Sequence, residues 1–153
     1  MESSTCTVSR AALADAVRIA PLFDAYRVFY GQPSDLEGSR AFLEDRIARD
    51  ESAIFFQSSG GDALEGFVQL YPLFASDRLC RTWVIHDLFV RPDVRRSGSA
   101  RRLMAVAQQF ARESGADAVF LETAKTNLAA QALYESLGYV RETQFYRYDL
   151  RLP

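Results

Sequence analysis

The sequence predicts a single α+β domain on a mixed β-sheet, with its elements in the order β-α-α-β-β-β-α-β-α-β. The chain has 153 residues, of which 48% are hydrophobic, so it can bury one full core. Helical periodicity alternates with short β-branched and aromatic runs. One alternation reads strand, helix, strand, which adds a parallel pair to strands otherwise joined as hairpins. We therefore expect residues 1–153 to fold as one domain.

The first predicted elements are a strand and two helices. Residues 6–10 form the strand, and Asp15 is placed to cap a helix whose apolar residues follow a 3.6-residue period up to the break at Gly31. A second helix is expected from about residue 39 to residue 49, with its apolar residues on the inner side.

A β-hairpin and a further strand follow. Residues 53–56 and 66–71 are apolar runs around a turn rich in Ser, Gly and Asp, so the two strands should be antiparallel. A loop over residues 72–80 leads to an aromatic and β-branched strand, residues 83–90, which Pro92 closes.

The last third of the chain alternates helices and strands. A helix over residues 98–114 should end at Gly115, and the buried strand 118–122 should pair in parallel with residues 83–90 through that helix. The remaining elements are a helix over residues 129–137, which Gly138 stops, and a last strand over residues 145–150.

Composition and charge narrow the classes of function. The formal net charge is -2 and the pI is near 5.4, so the protein has no overall field to attract a nucleic acid. Cys6 and Cys80 lack the spacing of a disulfide framework or a zinc site, so no metal is expected and a cytoplasmic location fits best. Residues 1–5 lack the basic and apolar regions of a signal peptide, and no apolar run approaches the ~18 residues of a membrane span.

The segment Arg95-Arg96-Ser97-Gly98-Ser99-Ala100 lies between a predicted strand and a predicted helix. Small residues there let backbone N–H groups approach an anion at the positive end of the helix. Arg101 and Arg102 add to the local positive charge, which suits a ligand with several phosphates. A solvated basic turn is the alternative, whereas the sequence lacks the motifs of P-loop and dinucleotide-binding folds.

Four motifs in order carry a resemblance to a known family. They are Asp87-Leu88-Phe89-Val90-Arg91-Pro92, Arg95-x-x-Gly98-x-Ala100, Leu121-Glu122-Thr123, and Asn127 followed by Ala130-x-x-Leu133-Tyr134-x-x-x-Gly138-Tyr139. At this spacing the chain resembles the GNAT superfamily of acetyl-CoA-dependent N-acetyltransferases, with weaker similarity over almost its whole length. Within the superfamily it looks most like the branch of the diamine and polyamine acetyltransferases. The resemblance implies a mixed central sheet flanked by helices on both faces.

The resemblance also implies acetyl-CoA as the cosubstrate and assigns the residues that would bind it. The backbone of Leu88, Phe89 and Val90 would pair with the pantetheine arm, and Asn127 and Tyr134 would flank the thiol end. The pyrophosphate would lie on the loop that consists of Arg95, Arg96, Ser97, Gly98, Ser99, Ala100 and Arg101. Ala100 stands where the family often has glycine, a replacement that the family tolerates.

Acetyl transfer to an amine requires a proton acceptor and a proton donor, because only the free base attacks a thioester. His86, the only histidine, and Asp87 are the candidate bases, although a half-buried structural histidine is the alternative. Neighbours on a strand face opposite sides, so at most one of the two should face the thioester unless a bulge intervenes. Tyr134 matches the family's proton-donor tyrosine, whereas an aromatic residue on a helix is otherwise more often part of a core.

The acceptor amine is expected to meet carboxylates and aromatic faces, which hold an ammonium group. The candidates are Tyr30, Asp35, Tyr71, Phe74, Asp77 and Asp87. Exposed polar loops whose aromatic residues pack on the edge of the sheet are the alternative. The polyamine enzymes are acidic at both positions that match His86 and Asp87, so the histidine argues against a dicationic acceptor. The leading expectation is a small-molecule primary amine, such as a polyamine or an amino acid. A protein lysine or N-terminus as acceptor, a non-catalytic acyl-CoA-binding module, and a monomer or homodimer are all open at this point.

Overall fold

The computed structural model describes residues 5–153. The expectation about a signal peptide concerns residues 1–5, of which 1–4 lie outside the described part of the chain. The chain falls into two compact units, one that ends at Glu122 and a second that spans Thr123–Pro153. The first unit carries the sheet.

Strands and helices of the first unit follow the predicted order. Their bounds are β1 Thr7–Arg10, α1 Ala16–Phe29, α2 Leu36–Ala48, β2 Ala53–Ser58, β3 Gly66–Ala75, β4 Cys80–Val90, α3 Ser99–Glu113 and β5 Ala118–Leu121. The strands lie side by side in the order β1-β2-β3-β4-β5. Neighbouring strands are antiparallel except β4 and β5, which are parallel. The predicted hairpin and the predicted parallel pair across α3 are therefore both confirmed.

The helix α2 begins earlier than the apolar period predicts. Asp35 Oδ1 accepts a hydrogen bond of 2.8 Å from Gly38 N and so caps the helix at Leu36. The capping carboxylate fills the space beside Gly38, where a Cβ would lie 2.3 Å from Asp35 Oδ2. After Leu36, polar and small residues make the first turn, and the apolar period starts only beyond it.

Helices cover both faces of the sheet. Adjacent residues of β2 point to opposite faces, and each packs against a different helix. Phe56 belongs to the apolar cluster that includes Leu43 of α2 and Phe67 of β3. Phe55 packs instead on Phe110 of α3, with ring centroids 5.3 Å apart. The predicted fold class, a mixed sheet flanked by helices on both faces, is confirmed.

The predicted loop over residues 72–80 is wrong, because the hairpin continues through most of it. β3 runs to Ala75 and pairs with the start of β4, with Pro72 opposite Trp83. Proline is tolerated there because β2 pairs with β3 only as far as Leu70. Beyond that point β3 needs no N–H donor on its β2 side.

The second unit contains α4, Leu128–Ser136, which the sequence predicts with nearly these bounds. Gly138, the predicted stop, has a φ of +93°. The predicted strand over residues 145–150 is wrong, since none of these described residues is in a strand. Their alternation of aromatic and polar side chains suits a strand, but a strand also needs a paired neighbour. Here the carboxylate of Glu142 accepts the N–H groups of Gln144 and Phe145 instead.

Candidate active site

β4 carries a bulge at its two adjacent polar residues, His86 and Asp87. In the pairing with β3, Gln69 lies opposite Asp87 and Leu70 lies opposite Ile85, so His86 is an extra residue. A bulge breaks the alternation of side chains along a strand. Both His86 and Asp87 therefore line the same pocket, which regular alternation would forbid.

Three hydrogen-bonded side chains lead from the interior of the sheet to this pocket. Asp87 is 3% exposed, and its Oδ1 lies 3.1 Å from His86 Nδ1. Its Oδ2 accepts a hydrogen bond of 2.6 Å from Nε2 of the fully buried Gln69. The His86 side chain is 62% exposed, so the imidazole is the part that a ligand reaches. A carboxylate beside Nδ1 favours the proton on that nitrogen and leaves Nε2 as the acceptor.

Two tyrosines pack around the His86–Asp87 pair. The Tyr71 ring meets the His86 ring edge-on, with centroids 5.4 Å apart, and Tyr26 Oη donates a hydrogen bond of 3.4 Å to the backbone oxygen of His86. Burial, followed by the negative charge of Asp87, raises the pKa of both Tyr26 and Tyr71 above the ordinary phenol value. Neither phenol therefore acts as a base near neutral pH.

The pair opens into a pocket of about 450 Å³ between the sheet, α1 and α2. Five of its twelve lining residues are phenylalanine or tyrosine: Phe23, Tyr26, Tyr30, Phe42 and Tyr71. Four of the six residues predicted to bind the acceptor, Tyr30, Asp35, Tyr71 and Asp87, line it. Phe74 and Asp77 do not, because the extended hairpin carries them away from the pocket, and Phe74 is 72% exposed.

Asp24, which no sequence pattern singles out, holds the connection between α1 and α2 that borders the pocket. Its carboxylate accepts hydrogen bonds from Ser34 Oγ at 2.6 Å and Asp35 N at 2.7 Å, and it pairs with Arg27 at 3.4 Å. These donors, Ser34 foremost, lower the pKa of Asp24. Arg27 also donates to the backbone oxygen of Pro33 at 3.2 Å, so it braces the same connection.

The loop before α3 has a backbone that suits an anion. Arg96 and Gly98 have φ values of +65° and +82°, and alternation of this kind turns successive N–H groups toward one point. Ala100 and Arg101 lie in the first turn of this 15-residue helix, where N–H groups lack intrahelical partners. A Cβ at Gly98 would lie 3.2 Å from Arg102 Nη1, so the glycine keeps open the space beside that guanidinium. The backbone and charge of the loop therefore suit an anionic group.

Several side chains of the loop are bound within the protein. Ser97 Oγ lies 2.8 Å from Oγ of the buried Ser99. Arg95 Nε donates to Val90 O at 3.0 Å, and the Arg95 guanidinium lies 5.5 Å from the centre of the Phe89 ring. The two serine hydroxyls and Arg95 Nε are therefore held by contacts within the protein.

The predicted pantetheine segment, Leu88, Phe89 and Val90, forms the end of β4. β3 pairs with β4 as far as Val90, whereas β5 pairs with it only from Thr82 to Ile85. Beyond the bulge, the β5-side edge of β4 thus has no strand neighbour within residues 5–153. Such an edge offers backbone N–H and C=O groups to a ligand.

Asn127 and Tyr134 lie in the second unit. Asn127 Oδ1 accepts a hydrogen bond of 3.2 Å from Ala130 N and caps α4. Tyr134 lies in the same helix, and its ring centroid is 6.1 Å from that of Tyr139. The helix therefore fixes the distance between Asn127 and Tyr134.

Comparison with known proteins decides the family. The profile described as "Acetyltransferase (GNAT) family" matches residues 19–139. The chain belongs to the GNAT acetyltransferase family. Its similarity to named relatives extends well beyond the motifs.

This GNAT protein is 42% identical over 146 residues to "Uncharacterized N-acetyltransferase YhfO" of Bacillus subtilis (strain 168), with 95% of this chain and 97% of that protein covered. It is 32% identical to a "Probable acetyltransferase" of Haemophilus influenzae, with 79% and 81% covered. The crystal structure of a probable acetyltransferase matches it with a TM-score of 0.90 at 40% identity, over 96% of this chain and 98% of that one. The chain is accordingly an acetyl-CoA-dependent N-acetyltransferase.

Residues 5–153 show neither a metal centre nor a membrane span. No group of three or more His, Cys, Asp or Glu residues in this range could hold a metal ion. Across the same residues, every helix is too short or too polar to cross a bilayer.

Proposed function

We propose that this GNAT chain, acting as one domain over residues 1–153, acetylates a primary amine of a small molecule that binds in the pocket beside the β4 bulge. One observation carries the proposal. The bulge turns His86 and Asp87 into the pocket at the place where β4 loses its β5 neighbour. An amine in the pocket and a donor along the free edge would meet beside His86.

Acetyl-CoA supplies the acetyl group as a thioester. The free edge of β4 at Leu88, Phe89 and Val90 would hold the pantetheine arm through backbone hydrogen bonds. The pyrophosphate would lie on the loop from Arg95 to Arg101, whose backbone suits an anion. Asn127 and Tyr134 would flank the thiol end, as the family pattern implies.

His86 is the proposed proton acceptor. An amine with a lysine-like pKa of ~10.4 is mostly protonated at neutral pH, so it must lose a proton before it can attack. His86 Nε2 can take that proton, directly or through one water, while Asp87 orients the ring and stabilises the imidazolium. Asp87 is too buried and too firmly bound to Gln69 to serve the amine as well.

The reaction moves three protons. The ammonium nitrogen gives up one proton before it attacks and a second after it has gained the acetyl group, and the coenzyme leaves as a thiol after it takes up one, so one proton passes to solvent. Tyr134 is the proposed donor of the proton to the coenzyme, because its phenol can also hydrogen-bond the developing thiolate. The residues of the pocket therefore serve the amine, and those of α4 serve the thiol.

The pocket favours an ammonium group on an apolar body. Aromatic rings attract a cation, and the carboxylate of Asp35 lies at the same wall. Diamines and polyamines, amino acids and aminosugars are the candidate acceptors. Because His86 stands where polyamine enzymes have an acid, amines with one positive charge should be accepted at least as well as diamines.

A panel of acceptors tests the proposal through release of free thiol from acetyl-CoA. Single-charge amines, diamines, amino acids and aminosugars are compared with peptides that carry a lysine or a free N-terminus. Turnover of free amines in preference to peptides supports the proposal. Preference for peptides indicates a protein acetyltransferase, and coenzyme binding without turnover on any acceptor indicates a binding module.

A further inference from the structure

Two fully buried glutamines lie on neighbouring strands and point to opposite faces of the sheet. Gln69 on β3 faces the acceptor pocket and holds Asp87. Gln57 on β2 faces α3, and nothing in the family motifs involves it. A buried amide is stable only where its hydrogen bonds are made, so the partners of Gln57 indicate what it does.

Both ends of the Gln57 amide are hydrogen-bonded beneath the start of α3. Its Nε2 donates to Ser99 Oγ at 2.7 Å and to Glu65 Oε2 at 2.6 Å. Its Oε1 accepts a bond of 3.3 Å from Arg102 Nε. One side chain of the sheet thus holds the first residue of α3 and an arginine of its first turn.

On the side away from α3, this network ends at the carboxylate of Glu65. Glu65 also accepts hydrogen bonds from Ser59 Oγ and, at 3.4 Å, from Cys6 Sγ. These donors, Ser59 and Gln57 foremost, lower the pKa of Glu65. Its carboxylate stays ionised at neutral pH and fixes the amide of Gln57 in one orientation.

On the side of α3, the network reaches the loop that we propose binds the pyrophosphate. Ser99 Oγ also lies 2.8 Å from Ser97 Oγ and 3.4 Å from Arg102 Nη2. Arg102 in turn borders the open space beside Gly98. A loop of serines and a glycine is intrinsically mobile, so its N–H groups bind an anion well only when something orders them beforehand.

We propose that Gln57 is a positioning residue for the coenzyme: by holding Ser99 and Arg102, it orders the loop from Arg95 to Arg101 before acetyl-CoA arrives. This inference rests on the proposed coenzyme site. Gln57 touches no reacting atom. It should therefore affect affinity for the pyrophosphate and leave the chemical step unchanged.

Two variants test the proposal by calorimetry with coenzyme A. Gln57→Met keeps the volume and removes the hydrogen bonds, and Ser99→Ala cuts the link from the loop side. Each should weaken the Kd for coenzyme A by about tenfold, the effect of losing one or two ordinary hydrogen bonds. Gln57, which lies outside the binding loop, should in addition leave kcat at saturating acetyl-CoA within about twofold of wild type when it is replaced by Met. S-acetylpantetheine lacks the pyrophosphate, so its KM should not change.

Gln69→Met is the matched control, since it removes the same amide from an equally buried site. It should lower kcat through Asp87 and leave the Kd for coenzyme A unchanged. Circular dichroism and Tm establish that each variant is folded, and Ser99→Ala decides the matter should Gln57→Met fail to fold. Wild-type affinity in Ser99→Ala, or an equal loss with S-acetylpantetheine, overturns the positioning role. A wild-type protein that binds no coenzyme A overturns the proposed function itself.

Discussion

His86 is largely exposed and Asp87 is buried, and this difference underlies the two roles that we propose for them. His86 accepts the proton, and Asp87 orients the imidazole. Asp87 is buried between Gln69 and the imidazole, whereas most of the His86 ring is open to the pocket. His86→Gln keeps a similar size but cannot take up a proton. We expect kcat to fall by about 10²-fold, the ordinary contribution of a general base.

The pH profile separates this role from a structural one. As pH falls, the wild-type imidazole becomes protonated and activity declines, in addition to the decline caused by protonation of the amine. His86→Gln should keep only the decline due to the amine, in kcat/KM measured from about pH 5 to 9. Asp87→Asn should lower kcat yet keep the part of the decline that is due to protonation of the imidazole. An unchanged profile in His86→Gln would show that the base lies elsewhere.

Tyr134 is the other residue to which the proposed mechanism assigns a proton transfer. Tyr134→Phe removes one oxygen and almost no packing area, so a structural tyrosine would tolerate the change. If the phenol serves the leaving thiolate, kcat should fall by about 10²–10⁴-fold with little change in the KM for acetyl-CoA. Steady-state kinetics with one good amine decides it. A wild-type kcat in this variant would leave water as the proton source.

Side-chain chemistry together with the family resemblance identified four residues that the fold brings to one pocket: Tyr30, Asp35, Tyr71 and Asp87. The same reasoning also named Phe74 and Asp77, which the extended hairpin carries away. The supporting residues escaped the same reasoning, because a polar residue on a strand or helix looks the same in sequence whether it is buried or exposed. Gln57 and its partner Ser99 are 42 positions apart, and only the fold makes them neighbours. That two adjacent strand residues, His86 and Asp87, both face the site depended on a bulge, which no local pattern encodes.

At the scale of elements, the connection between α1 and α2 is organised by the carboxylate of Asp24. Its pKa is lowered in the folded protein, so the carboxylate stabilises the fold above the unfolded-state pKa of ~3.9. That contribution is lost as the pH falls through the folded-state value. Asp24→Asn should therefore reduce the free energy of unfolding by about 1–2 kcal/mol at pH 7 and by much less at about pH 3.

Urea denaturation of both proteins at the two pH values measures this difference. Asp62→Asn, an exposed change in the turn between β2 and β3, is the control and should have little effect at either pH. A constant difference between wild type and Asp24→Asn at both pH values would contradict the electrostatic explanation. The pocket wall would then be held by packing alone.

Elements with a strong local period were predictable, and elements defined by their neighbours were not. The apolar period and Gly115 gave α3, and two apolar runs around a polar turn gave the hairpin of β2 and β3. Pro72 suggested a loop because proline is rare inside sheets. The pairing of β2 with β3 ends at Leu70, however, so Pro72 needs no N–H donor on that side. The run over residues 145–150 has the composition of a strand, but pairing is a property of two segments and cannot be judged from one.

At the scale of the whole molecule, net charge says little about the ligand. The formal net charge is -2, yet Arg95, Arg96, Arg101 and Arg102 lie within and just after one loop. A coenzyme that carries several phosphates responds to this local charge and to the N-terminus of α3, since the field of distant surface charges is screened in physiological salt. The protein should therefore bind coenzyme A and should not bind nucleic acid.

Ligand binding to the folded state alone stabilises the whole protein, which gives a test of the coenzyme site that does not require an acceptor. At about 100 times its Kd, coenzyme A should add ~2.7 kcal/mol, or about 5–11 °C in Tm for a chain of this size. Gly98→Val should abolish that rise, because its side chain would enter the space beside Arg102. Valine also strains a backbone with φ of +82°, and Gly115→Val, at φ +78° with no atom within 4 Å of its Cβ, matches that strain at the other end of α3. Without ligand, both variants should have a lower Tm than the wild type. With coenzyme A, only Gly115→Val should show the wild-type rise in Tm. A full shift in Gly98→Val would remove the loop from the binding site.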